Sequence, residues 1–375
     1  MMLLRKTLIP FFTFAALIIV AWASQVRSSR FPPQPIVISE VNSQFSEQSC
    51  AECHAEIVES FQLAPHANTL HRAVSDELLA RFVDRTFVRE STQAEYRYVL
   101  KEGRLFLKTS AYPREMPIDW IVGSGTHAQT PLLLWEDDQG AHQSLEHIVS
   151  WYPNGELGVT LGQEKLDFAE GIYAVGHPWD TAETINCFGC HATYVPVKDK
   201  KIDFEKIHLG ISCARCHLDS AGHVQRMEAG ADVEIERFSK LSPLEAMNRC
   251  GECHRRATEV GSDITPNDET IVRFAPVGLA MSPCFLNQVQ VVLGNGEPAR
   301  LDCTTCHNPH RPATADWKAH TKTCLKCHDE RNQRALDCTH AARDSNCLTC
   351  HMPKVSANEH LQFTDHWIRI REPAK

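Results

Sequence analysis

Cys187-Phe-Gly-Cys190-His191, followed shortly by Cys213-Ala-Arg-Cys216-His217, sets the reading of the whole chain. The same Cys-x-x-Cys-His spacing recurs at Cys50/Cys53/His54, Cys250/Cys253/His254, Cys303/Cys306/His307, Cys324/Cys327/His328 and Cys347/Cys350/His351. Two thiols three positions apart share one face of a helical turn and reach the two vinyl groups of a single haem. The adjacent histidine then takes the proximal iron position. With 16 Cys and 20 His in 375 residues, chance would produce this pattern about 0.04 times. Seven copies absorb fourteen of the sixteen cysteines. Zinc sites draw four ligands from paired clusters, and thioredoxin-type motifs demand no following histidine. A disulfide framework would not set a histidine after every second cysteine. The expected cofactor is haem c, seven times, covalently attached.

The remaining composition agrees. At 43% hydrophobic and 23% charged residues the chain is globular in type. Its formal charge of −9 excludes a basic nucleic-acid footprint. Haem propionates would add to that charge, so redox proteins with basic docking patches are the natural partners. A quinol-oxidising complex, other cytochromes or a terminal reductase would fit. Arg5 and Lys6 precede an apolar stretch, and Ala21-Trp22-Ala23 has the small-x-small form of a signal-peptidase site. Residues 1–23 are expected to be a signal peptide, or else residues 8–23 an uncleaved anchor, although a bilayer span needs about 20 residues. Either way the body is periplasmic or otherwise extracytoplasmic, touching a membrane only if that segment is retained.

The motifs are unevenly spread. Residues 24–44, with Pro32, Pro33 and Pro35, read as a tether, and 45–82 as a first haem segment. Residues 83–170 read as a β-rich module, 171–354 as a six-haem domain and 355–375 as a C-terminal tail. In the module, 96–101 and 104–108 form a hairpin across Glu102-Gly103, with 86–90 as a further strand. A second hairpin joins 131–135 to 144–151. A helix over 55–63 stops before Pro65. The six-haem stretch is too short per motif to build an ordinary apolar core, so porphyrin must supply buried surface. The fold class expected is a mainly α and irregular shell around stacked haems, with a small antiparallel β module between the first and second motifs.

Seven proximal histidines leave thirteen for the sixth iron position. Candidates are His66, His127, His223, His310, His340, His360 and His366. His71, His177, His208 and His320 stand in reserve, Met281 is a thioether alternative, and His142 and His147 read as surface residues of the second hairpin. Cys284 and Cys338 are left over, as a disulfide or as two buried thiols.

Several segments carry a family resemblance: Cys50-Ala-Glu-Cys-His54 with His66, Gly123-Ser-Gly125, and Gly210-Ile-Ser-Cys-Ala-Arg-Cys-His217 with His223. Further on come Cys303-Thr-Thr-Cys-His-Asn-Pro-His310, Cys347-Leu-Thr-Cys-His-Met-Pro-Lys354 and Phe363-Thr-Asp-His-Trp-Ile-Arg369. The chain resembles the multihaem cytochromes c related to the tetrahaem electron carrier of nitrifying bacteria. That group shades into pentahaem nitrite reductases and octahaem hydroxylamine oxidoreductases. The resemblance implies closely packed haems, electron movement outside the cytoplasm, and His66, His223, His310 and His366 as distal ligands. Two departures stand out. No motif ends in lysine, so the lysine-ligated catalytic haem of the pentahaem enzymes is missing, and the usual Cys-His-Gly-Pro-Gly run is here Cys216-His217-Leu-Asp-Ser.

Mostly bis-histidine haems leave no open iron, which makes an electron carrier the leading expectation and names no catalytic residue. The alternative is an oxidoreductase acting on a small nitrogen or sulfur compound at one five-coordinate haem, capped by the β module with His127, Tyr173 and His177. A third possibility is a subunit wiring a partner enzyme to the quinone pool.

Overall fold

The computed structural model describes residues 47–231, 235–257, 269–293, 295–328 and 345–371. The signal or anchor segment, the tether, Cys338 and His340 lie outside the described residues. Between its first two motifs the chain forms strands Leu70–Arg72 (β1), Thr86–Val88 (β2), Glu95–Lys101 (β3), Arg104–Thr109 (β4), Tyr112–Ile118 (β5) and Trp120–Val122 (β6). Thr130–Glu136 (β7), His142–His147 (β8), Val149–Trp151 (β9), Leu157–Val159 (β10) and Gly176–Trp179 (β11) follow.

Turn chemistry sets the registers. Lys101 pairs with Arg104 across a two-residue loop in which Glu102 (φ 51°) and Gly103 (φ 77°) are both left-handed, the geometry of a type I′ hairpin. In the β7–β8 loop the Asp137 carboxylate accepts from the backbone N–H groups of Gln139 and Ala141 at 2.9 and 2.8 Å. β2 to β5 make a four-stranded antiparallel meander, and a second antiparallel sheet runs β1-β6-β7-β8-β11. Its outer strands come from either side of the 83–170 stretch.

The period-2 alternation of β6 and β7 serves two cores. Ile121, Leu133 and Leu145 meet Tyr96, Tyr98, Leu105, Leu107 and Ile118 of the meander in one cluster. From the neighbouring positions, Trp120 and Leu132 join Leu70 in a second cluster with Phe188, Ala192 and Ile202. Phe188 lies between the two cysteines of the second motif, and its ring meets that of Trp120 at 5.3 Å and 90°. The module is thereby fastened directly to a Cys-x-x-Cys-His turn. Beyond Ile207 no comparable apolar cluster occurs among the described residues. Short helices take over, so the architecture is a mixture of helices and antiparallel sheets.

Two histidines read as surface residues from the sequence are not. His147 is fully buried: its Nδ1–H donates to the Val175 carbonyl at 2.7 Å, so Nε2 accepts from the Tyr98 hydroxyl at 2.8 Å. His142 is half-buried and its Nδ1 accepts from the Ile202 N–H. The misreading came from taking the strand as a one-faced hairpin, whereas both faces of this sheet are covered.

Burial drives the His147 pKa down from 6.5 to about 4. The folded protein therefore holds it neutral, and its stabilisation is complete above pH 6.5 and lost as pH falls toward 4, on the order of 3 kcal/mol. His147→Asn should flatten the acid branch of a Tm-versus-pH curve. Tyr98→Phe, which strands a buried acceptor, should cost about 1–3 kcal/mol in denaturant unfolding. Phe188→Ala should cost about 3–5 kcal/mol by cavity formation.

Candidate haem-binding site

Each motif occupies a helical turn. The backbone N–H of His217, His307, His328 and His351 donates to the carbonyl of the first cysteine of its own motif, at 2.8, 2.9, 3.0 and 3.0 Å. Cys187 to His191 and Cys250 to His254 form the last turns of helices Thr181–His191 and Pro243–His254, each opened by a capping box. In helix Glu47–Gln62 the regular backbone breaks at His54 (φ −120°, ψ 38°), so that histidine too leaves the helix after its cysteines.

The spacing alone treats the fourteen motif cysteines as equivalent, and the structure does not. The first cysteine of every motif is half-buried. The second is exposed in five of them, at Cys53, Cys216, Cys253, Cys306 and Cys350. Cys190 and Cys327 depart from that pattern and are half-buried like their partners Cys187 and Cys324. The Cys327 N–H donates to the Cys324 carbonyl at 3.1 Å, which tightens the sixth turn, and its thiol lies near enough to Cys284 to influence it. The difference arises because the second thiol ends its turn, so its exposure depends on which other segment packs there. None of the described cysteines is joined in a disulfide.

Across from four motif histidines stands a second imidazole from a distant part of the chain. Ring centroids are 6.5 Å apart for His54 and His223, and 6.0 Å for His254 and His66. They are 6.0 Å apart for His217 and His310, and 6.1 Å for His307 and His366. An iron bridging two imidazole nitrogens at about 2 Å each, with each centroid roughly 1 Å further back, needs about 6 Å between centroids. The ring planes differ by 11° to 86°, and rotation about a shared nitrogen–iron–nitrogen axis leaves the separation unchanged. His320 also lies 6.2 Å from His307. Its Nε2–H, however, donates to the Thr314 carbonyl at 3.2 Å.

The tautomers suit ligation. Nδ1 of His191 lies 3.0 Å from the Thr69 carbonyl, that of His351 3.1 Å from Arg369, and that of His366 2.9 Å from Thr364. A carbonyl only accepts, so each Nδ1 carries the proton and each Nε2 keeps its lone pair. Burial lowers the pKa of His66, His191, His217, His307, His310 and His366, and takes His254 to about 4. Neutral imidazole is the form that binds metal.

Backbone close approaches position the distal groups. Gly210 (φ 67°) lies so close to the loop carrying His66 that a Cβ there would come within 2.1 Å of the Ala67 carbonyl oxygen. The Ile211 N–H donates to the His66 carbonyl. A Cβ on Gly278 would sit 2.8 Å from the Trp367 nitrogen. Ser282, buried at the mouth of helix Pro283–Leu286, leaves that helix uncapped and clamps the tail instead. Its hydroxyl accepts from the Ile368 N–H at 2.9 Å and lies 3.1 Å from the His366 and Gly278 carbonyls.

The other candidates have different neighbours. His127 stacks on Phe363 at 5.1 Å, and His360 on Tyr152 at 4.4 Å, with the Glu359 carboxylate 3.2 Å from His360 Nε2. Both contacts seat the hairpin of Lys354–Ser356 and Gln362–Thr364 on the β module, and neither ring faces a proximal histidine among the described residues. Tyr173 packs on Phe168 and His177 beside Trp179, so the proposed cap of His127, Tyr173 and His177 is not gathered into one group. His71 Nε2 bonds the Asn68 carbonyl. Cys284 is half-buried, while Cys338, the other half of the suggested bridge, and His340 fall outside the described residues.

Residues 164–218, which hold the second and third motifs, match the family described as Cytochrome c554 and c-prime. The chain also superposes on a solved structure titled "Crystal Structure of Outer Cell Wall Cytochrome OcwA". The TM-score is 0.51, with 13% identity over 87% of this chain and 80% of that one. The chain shares its fold with that outer cell wall cytochrome. No curated protein sequence matches the chain at a significant level.

Sequence reasoning passed over three residues packed among the motifs and the tail: Arg215, Gly278 and Ser282. Arg215 is an x residue of Cys213-Ala-Arg-Cys216 and is buried, at 8% exposure. Nothing in a pentapeptide pattern marks such a residue, and Gly278 and Ser282 act on a segment more than eighty residues away. Ser282→Ala should therefore speed hydrogen exchange at the Ile368 amide, with the tail loosened by about 1–3 kcal/mol. Unchanged exchange at that amide would contradict the clamp.

Proposed function

We propose that this cytochrome is an extracytoplasmic electron carrier holding seven haems, most of them ligated by two histidines. The observation that carries the reading is the set of imidazoles about 6 Å across from His54, His217, His254 and His307. On this reading His223, His310, His66 and His366 are the respective sixth ligands. His366 is preferred over His320 because its Nε2 is unengaged by the backbone carbonyl that holds its Nδ1. When bound, each haem iron supplies one-electron chemistry, alternating between ferric and ferrous states. The chain's own residues do the rest: cysteines tether, carbonyls orient the imidazoles, and burial sets how much each charge state costs. Cys53, Cys327 and Cys350 serve as the second tethers of the first, sixth and seventh haems on the same reading, supported by their place in the repeated motif.

The signal-like residues 1–23 and the fold shared with an outer cell wall cytochrome support a location outside the cytoplasm. Among the described residues no helix is long and apolar enough to cross a membrane. Redox proteins are the partners, and the overall negative charge favours basic docking faces on them.

The mature protein should exceed its polypeptide mass by seven haems, and its resting electron paramagnetic resonance spectrum should be dominated by low-spin iron. His366→Ala should add one high-spin signal and one carbon monoxide site per molecule. Carbon monoxide binding stoichiometrically to the unmodified reduced protein would instead favour the small-molecule oxidoreductase.

A further inference from the structure

Residues 65–71 form a thin wall with motif histidines on one side and a cleft on the other. They open with the 3-10 turn Pro65–Asn68, in which residues three apart share an edge. One edge serves the motifs. His66 stands 6.0 Å from His254 of the fourth. The Thr69 carbonyl accepts from His191 Nδ1 of the second at 3.0 Å, and the Thr69 hydroxyl donates to the His191 carbonyl at 2.8 Å. The other edge, Pro65, Asn68 and His71, lines a cleft of about 340 Å³ bounded across from it by the 123–129 loop. Small-molecule sites begin near this size, at about 300 Å³. No motif cysteine or histidine lines the cleft, so it is a space apart from the haem tethers.

The lining is amphipathic and its charges are balanced. Arg81 lies over the Trp151 ring at 4.4 Å, donates to the side chain of the buried Gln129, and pairs with Glu77 at 2.5 Å. An anion would find no free cation among the described residues of the lining. Gly125 (φ 82°) brings the loop onto Arg81, since a Cβ there would come within 3.2 Å of Nη1. His71 Nε2–H donates to the Asn68 carbonyl at 2.8 Å, which leaves the Nδ1 lone pair to accept a proton. Leu63, Pro65 and Leu78 supply apolar wall. Leu63 is 73% exposed, and so, at 67%, is Val74, next to the lining Ser75. Aliphatic side chains so open to water at the rim suit a hydrophobic tail.

We propose that this cleft binds a hydroquinone, which is oxidised there by the haems of the second and fourth motifs. The proposal rests on the reading of those motifs as haem sites. A neutral ring with an oxygen at each end and an apolar tail matches a small, charge-balanced, amphipathic lining. Its two electrons would pass singly, one to each of two ferric irons, with His66 and Thr69 as the short routes through the wall. His71 Nδ1 takes one hydroxyl proton and Glu77, which opens to solvent, takes the other, leaving the quinone. Transfer of this kind needs no open iron position, in keeping with ligation by two histidines.

The test follows reduction of the oxidised, haem-loaded protein by tetramethylhydroquinone in a stopped-flow spectrometer. The rate should saturate with hydroquinone concentration. Thr126→Trp, which puts an indole into the cleft, should lower it at least about tenfold. Leu63→Trp, at a position already exposed and therefore tolerant of size, provides a second block should the first variant fail to mature. His71→Gln, which cannot take the proton, should lower the plateau rate more than it raises the half-saturating concentration. A rate that stays linear in hydroquinone concentration, or one that both tryptophan variants leave unchanged, would overturn the proposal. Dithionite, which needs no cleft, should reduce all of these proteins alike. Native protein that dithionite does not reduce, or whose mass shows no haem, would instead sink the haem reading, and the proposal with it.

Discussion

On the proposed reading, much of this structure follows from one constraint: an iron held from one side by a Cys-x-x-Cys-His turn would need a second imidazole about 6 Å from the first. The turn is local and cheap to encode. Its opposite number is not, because an imidazole one or two residues away cannot reach around a porphyrin. His66, His223, His310 and His366 each come from another segment, so every such pair pins two distant stretches together. In a region without an apolar cluster of its own among the described residues, these links and the rings between them would take the place of a core.

The β module supplies what the haem region lacks. Its two-faced sheet sends Trp120 and Leu132 onto Phe188, so a conventional hydrophobic cluster ends on the second motif. On another side Tyr152 and Phe363 clasp His360 and His127, seating the hairpin that leads into the tail. That tail then carries His366 toward His307, and its Arg369 carbonyl orients His351. Asp365, almost fully buried, holds the segment by accepting from the Trp367 N–H and from Arg369 and Arg371. The β module and the motif-bearing region are thus coupled through a short strap.

Burial does electrostatic work as well as mechanical work. Taking the imidazoles out of water favours their neutral form, the one that can ligate a metal. His147 shows the same principle in the β module: burial holds it neutral, although its hydrogen bond to the Val175 carbonyl pulls the other way.

The sequence alone determined the seven attachment-type motifs and the type I′ turn at Glu102-Gly103, because each is written within a few consecutive residues, whereas the sheet draws β1 and β11 from outside the 83–170 stretch. It also offered a pool of candidate histidines, but not which of them face a motif histidine. His127 and His360 looked equivalent to His66 and His366 along the chain, and only the tertiary arrangement separates rings that face a proximal histidine from rings that stack on an aromatic. Cys53, Cys327 and Cys350 looked equivalent too, yet packing leaves the first and last exposed and half-buries the other. Which imidazole faces which motif histidine was decided by packing between segments far apart in sequence. A pentapeptide specifies its own turn, and nothing in it specifies which other turn will lie against it.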